Sequence, residues 1–138
     1  MKKGEKRDGQ WTWARAKPKA VPHSLKDDLT AKAQKLIEKH LKPVHVKPPP
    51  KNTEWNYIVE IFTKWRGSYF YFMAKYACPG PNAMAPFFEV GFARLEYLSS
   101  GNFNIAYMRH TGQWWQIRDD VPMAEALRAV CSESIFQP

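Results

Sequence analysis

Cysteine, glycine-rich loops and long apolar runs are what this 138-residue chain has least of. Its two cysteines, Cys78 and Cys131, stand far apart, and no Cys-x-x-Cys pair occurs. Two cysteines in a chain this long make no disulfide framework and fit a reducing compartment, so a cytoplasmic location is expected. Zinc needs about four converging ligands. His40 and His45 straddle Pro43 and share no helical face, so neither a metal nor any cofactor is expected. No apolar run is long enough to span a bilayer, and no apolar region follows the basic start Met1–Asp8. Neither a membrane partner nor a secretory signal is therefore expected. The segment Cys78-Pro79-Gly80-Pro81 is too rich in proline to offer successive N–H groups to a phosphate. No serine sits in a nucleophile elbow, and no catalytic residue can be assigned.

What the chain does have is cationic charge at one end. Residues 1–51 carry 14 Lys and Arg against 5 Asp and Glu, a balance of +9. Residues 52–138 carry 7 against 8, a balance of −1. Such asymmetry points to a polyanion as partner, either nucleic acid or a ribonucleoprotein, with a solvated, solubilising tail as the plain alternative. Lys2, Lys3, Lys6, Arg7, Arg15, Lys17 and Lys19 fall in residues 1–21, which mix Gly, Pro and Ala with no periodic apolar face. They are expected to form a flexible arm before a single domain over residues 22–138. Trp11 and Trp13 in that arm can dock on the domain or stack on bases.

A helix is predicted over Leu25–Leu41, with Ser24 as N-cap, Asp27 in a weak capping box and Pro43 as its stop. Leu25, Leu29, Ala33, Leu36, Ile37 and His40 share one face. Lys32, Lys35, Lys39 and Lys42 form a stripe beside it that can follow phosphates or simply face water. Pro48-Pro49-Pro50 then favours an extended spacer.

Five strands are predicted next. Glu54–Trp65 places Trp55, Tyr57, Val59, Ile61 and Trp65 on one face. Tyr69–Ala77 is aromatic on both faces, as in a strand covered on both sides. Phe87–Leu98, Phe103–Arg109 and a short Trp114–Ile117 follow, separated by Ser99-Ser100-Gly101-Asn102 and His110-Thr111-Gly112-Gln113 turns. A last helix runs from Pro122 to Ser132, with Asp120 as its cap. The expected fold is thus α+β: an N-terminal helix, an antiparallel meander of about five strands and a C-terminal helix, both helices on one sheet face.

From about Tyr69 onward, over half of the chain, the sequence resembles a bacterial domain-of-unknown-function family, number three thousand and twenty-four. The likeness rests on Gly91-Phe92-Ala93-Arg94-Leu95-Glu96-Tyr97, on Tyr107-Met108-Arg109-His110-Thr111-Gly112-Gln113-Trp114, and on the helix from Met123 followed by Ile135-Phe136-Gln137-Pro138. The family has no assigned activity, so the resemblance implies a fold and no function.

Three functional classes remain. A non-catalytic module can contact nucleic acid through the arm, the lysine stripe, Trp11 and Trp13, aided by Tyr69 or Tyr71 if one sheet face is open. None of the named recognition motifs is present, so sequence-specific base reading is not expected. A protein partner or a homodimer can instead use an aromatic sheet face. A small-molecule site or enzyme can form between sheet and helix, where Glu60, Glu89, Arg94, Arg109 and His110 supply polar groups.

Overall fold

In the computed structural model, residues 20–49, 51 and 55–138 are described. Helix α1 (His23–Leu36) runs into a π-helical turn (Ile37–Leu41) and a short α2 (Lys42–His45). Strands β1 (Tyr57–Arg66), β2 (Tyr69–Ala77), β3 (Phe87–Tyr97), β4 (Phe103–Met108) and β5 (Trp114–Val121) follow, and α3 (Met123–Ser132) closes the order. The strands form one antiparallel meander in sequence order. The expected α+β fold is the observed one, helices on one face included.

The helical layer departs from expectation at both of its ends. Helix α1 begins one residue before Ser24, with Pro22 extended at its N-cap and no side chain bonding the first N–H groups. Proline's fixed φ starts the turn without a capping box. At the other end Pro43 does not stop the helix. The Lys42 N–H reaches back five residues to the Ile37 carbonyl, and Pro43 falls in the opening turn of α2. A missing N–H is harmless in a first turn.

The π turn has a further consequence. Leu29, Ala33, Ile37 and Leu41 are all buried, and their four-residue spacing would drift around a 3.6-residue helix. The wider turn takes up that drift and brings Leu41 to the core. His40, expected on the apolar face, is exposed.

These helical residues pack with Ala126, Leu127 and Val130 of α3 onto Phe70, Phe72 and Ala74 of β2, Ala93 and Leu95 of β3, and Phe103 and Ile105 of β4. Burying each large side chain is worth about 1.5–3 kcal/mol. Phe136, beyond α3, seals the same core.

Three strand expectations need correction. On β1 the pairing slips between Ile58 and Glu60. This β-bulge moves Ile58, rather than Tyr57 and Val59, to the core side with Ile61 and Trp65. Trp55 precedes the strand and is exposed. Strand β5 runs four residues further than Ile117, so Asp119 and Asp120 lie in the sheet. Asp120 therefore caps nothing; Pro122 holds the N-cap of α3. Asp120 takes φ 54, donates its N–H to Asn104 Oδ1 at 2.9 Å and accepts a bond from the Ser100 hydroxyl at 2.7 Å. It ties the end of β5 to the β3–β4 turn. Finally, β2 is covered by helices on one side only: its odd-numbered residues face away from them, and Tyr69 and Tyr71 stay half-buried.

The β1–β2 hairpin turns through Gly67 and Ser68, with Arg66 paired to Tyr69. Gly67 has φ +59, which a two-residue hairpin turn demands and glycine adopts without strain.

Candidate functional site

Period-two alternation on β2 sends Phe70, Phe72, Ala74 and Tyr76 to the helices and Tyr69, Tyr71, Met73 and Lys75 to the opposite face. Cross-strand pairing extends that second face. Tyr71 opposes Lys64 and Arg94, Met73 opposes Phe62 and Gly91, and Lys75 opposes Glu89. Arg94 opposes Ala106, which opposes Gln116.

At the centre of this face lies an aromatic cluster around one cation. The Arg94 guanidinium sits 4.6 Å from the Tyr69 ring and 5.0 Å from the Trp114 ring. Tyr71 lies 5.7 Å from Trp114 and 6.2 Å from Tyr69. Trp114 reaches across β4 to lie on β3 because Gly91 has no side chain there. A Cβ on Gly91 would stand 3.1 Å from the indole and 3.4 Å from the Met73 sulfur. The rings thus form a half-exposed platform whose positions are set by β-pairing. Further along the face, Lys75 sits 4.7 Å over the Phe87 ring. Among the described residues, no helix packs on this face.

The helical layer carries a second surface. A groove of about 620 Å³ runs between α1 and α3, floored by Leu36, Met123, Ala124, Leu127 and Cys131 and edged by Lys32, Lys35, His40, Arg128 and Ser132. Burial pushes the Cys131 thiol above its usual range, so at neutral pH it is a small apolar side chain rather than a nucleophile.

The lysines read as one stripe are dispersed. Lys32 pairs with Asp28 at 2.9 Å on α1. Lys42 pairs with Glu38 at 2.6 Å and with Glu60 of β1 at 2.8 Å. Its hydrogen bonds to those two carboxylates hold its ammonium above the usual lysine range, and its own bond draws the Glu60 carboxyl below the carboxylate range. The π turn rotates Lys42 toward the sheet edge, where it becomes a strut between α2 and β1. Lys32 and Lys35 remain at the groove, and Lys39 is exposed outside it. Lys2, Lys3, Lys6, Arg7, Trp11, Trp13, Arg15, Lys17 and Lys19 lie outside the described residues.

The polar groups considered for a small-molecule site between sheet and helix do not converge. Glu60 is engaged by Lys42, Glu89 is exposed, Arg94 is held between two rings, and Arg109 stacks on Trp115 at 4.6 Å. His110 is exposed in a turn. Among the described residues, no group of three or more His, Cys, Asp or Glu side chains is placed to hold a metal, and no helix is long and apolar enough to cross a membrane.

Sequence reasoning named Tyr69, Tyr71 and Arg94 but missed Trp114 as their partner. The signal was faint: a glycine amid bulky residues on β3, which marks close approach by another group. The groove had no signal, since its two walls are some ninety residues apart in the chain.

The family model for a domain of unknown function, DUF3024, matches residues 19–138. The chain belongs to the DUF3024 family. The match extends beyond the half of the chain whose motifs carry the resemblance, and takes in α1 and both walls of the groove. Residues 1–18 lie outside it. No curated protein and no solved structure matches the chain.

Proposed function

We propose that the chain is a non-catalytic module that binds single-stranded nucleic acid on the sheet face bearing Tyr69, Tyr71 and Trp114. The observation that carries this reading is the platform itself: two rings of β2 and one of β5 gathered around Arg94 of β3, on a face without a helical cover among the described residues. Bases stack on such rings for about 1–3 kcal/mol each, with little regard to sequence. Lys64 and Lys75 lie on the same face, and residues 1–19 add seven Lys and Arg that can meet phosphates. Each phosphate neutralised releases counterions, so the affinity should fall with salt. A cytoplasmic setting accords with Cys78 and Cys131 as free thiols.

The test is fluorescence anisotropy with labelled 15-nucleotide poly-U and poly-dT between 50 and 200 mM salt. Binding is expected at low salt, weakening steeply as salt rises. Tyr71→Ala should weaken it about tenfold, one stacking contact's worth. Removing residues 1–18 should flatten the salt dependence while leaving the Tyr71→Ala effect in place. Absence of binding at 50 mM salt, or full affinity in a folded Tyr71→Ala protein, would refute the reading. A platform that instead closes a dimer would appear as a Tyr71-dependent doubling of mass in sedimentation.

A further inference from the structure

The groove between α1 and α3 lies on the helical layer, away from the aromatic platform, and combines two features that nucleic-acid binding does not use. Its floor is apolar: Leu36 on one wall, Met123 and Leu127 on the other. Its edges are cationic: Lys35 and Arg128 stand there with no carboxylate in ion-pair range among the described residues, while Lys32 beside them is tied to Asp28. A soluble domain gains by covering an apolar floor of this kind.

Charge and size together select the occupant. A second copy of the chain would set the same cations against themselves across a two-fold axis. Residues 1–19 carry seven Lys and Arg against two acidic groups, so they too are repelled by the edges. A folded protein partner needs roughly 800 Å² on its side of a stable interface. The groove spans only the length of α3, ten residues, or about 15 Å at the helical rise. Its volume of about 620 Å³ falls within the roughly 300–1,000 Å³ of small-ligand sites.

We infer that the groove binds a small amphipathic anion, a single aliphatic chain with an anionic head, with the chain on Leu36, Met123 and Leu127 and the head at Lys35 and Arg128. Ala124 is exposed on the floor, so Ala124→Trp fills the groove without disturbing the core.

Isothermal titration of the full chain with dodecanoate and dodecyl phosphate, each below its micellar concentration, tests this. Saturable one-to-one binding of at least one is expected, and which of them binds identifies the head group. Decyltrimethylammonium should bind at least tenfold more weakly. Ala124→Trp should abolish binding, and Lys35→Gln with Arg128→Gln should reduce it about tenfold. Binding of neither anion, equal binding of the cationic amphiphile, or undiminished binding in Ala124→Trp would overturn the inference. So would a dimer that Ala124→Trp dissolves, or a large gain in anion affinity on removing residues 1–18, because either would reveal a different occupant. Poly-U affinity should be unchanged in Ala124→Trp; its loss would put nucleic acid in the groove and refute the assignment. The platform is probed separately through Tyr71, so the two readings fail independently.

Discussion

On β2 the fully buried rings that face the helices are phenyl, Phe70 and Phe72, and the half-buried rings that face away are phenol, Tyr69 and Tyr71. The two sides of the sheet also differ in what holds them together. The helix side has Phe70, Phe72, Leu95, Phe103 and Ile105 fully buried, and it coheres by area removed from water. The opposite side coheres by contacts among half-exposed groups, with Arg94 between two rings and Lys75 over a third. A buried phenyl ring has no other partner to turn to. A half-exposed ring can exchange a protein neighbour for a ligand at small cost, which makes the second face the one suited to binding.

The largest effect should come from the buried side. Phe72 touches Phe70 edge-on at 5.4 Å and Phe92 at 6.2 Å, and nothing can collapse into its place without moving the helical layer. Phe72→Ala should cost about 3–5 kcal/mol, a large share of the stability of a domain this size. Urea unfolding checks this. A loss below 1 kcal/mol would mean that the core is looser than its burial implies, and the contrast between the faces would dissolve.

The next effect sharpens the contrast from the other side. Gly91→Val places two methyl groups where the Trp114 indole lies, and overpacking of this kind costs about 1–3 kcal/mol. Trp114 sits at the start of an edge strand and can lift away, so the strain should be released by the indole leaving the platform rather than by unfolding. The Trp114 Nε1–H resonance should move while the signals of Phe72 and Leu95 stay in place. A shift spread through both faces would show that the platform is coupled to the core and not independently deformable.

How much of this was legible in the sequence follows from how local each feature is. Strand β2 could be read because alternation is a property of neighbouring residues, but with rings on both faces nothing local told which face the helices leave open; the Ser68 and Gly101 turns delimit their hairpins in the same way. The β-bulge on β1 was hidden because Tyr57, Val59 and Ile61 alternate as well in an unbroken strand; only pairing with β2 reveals that Val59 is the extra residue. Pro43 looked like a stop because a proline inside a regular helix is one, and the π turn that admits it is selected by burial of Leu41. Asp120 looked like a cap because it precedes a helix, yet its partners are Asn104 and Ser100, brought near by the sheet. The groove and the Trp114–Arg94 contact are tertiary throughout. They join residues whose separation in the chain leaves no periodic trace.

The smallest effect concerns the joint between the two faces, where Lys42 at the start of α2 reaches Glu60 on the edge strand. Exposed ion pairs contribute about 0.3–1 kcal/mol, so Lys42→Gln should lower stability by roughly that much at pH 7. The pH dependence separates an ion pair from mere packing of the lysine stem. Glu60 titrates below its usual 4.5 in the folded chain, so its contribution is complete above that value and is lost as pH falls through the lowered folded one. Lys42 titrates above its usual 10.5, so its contribution is complete below that value and is lost only in strong alkali. The gap between wild type and Lys42→Gln in urea unfolding should therefore be constant from about pH 5 to 10 and shrink as pH falls below 4.5. A gap that does not shrink in acid would mean that Lys42 acts through its methylenes, and that apolar packing rather than charge joins the helical layer to the rim of the aromatic face.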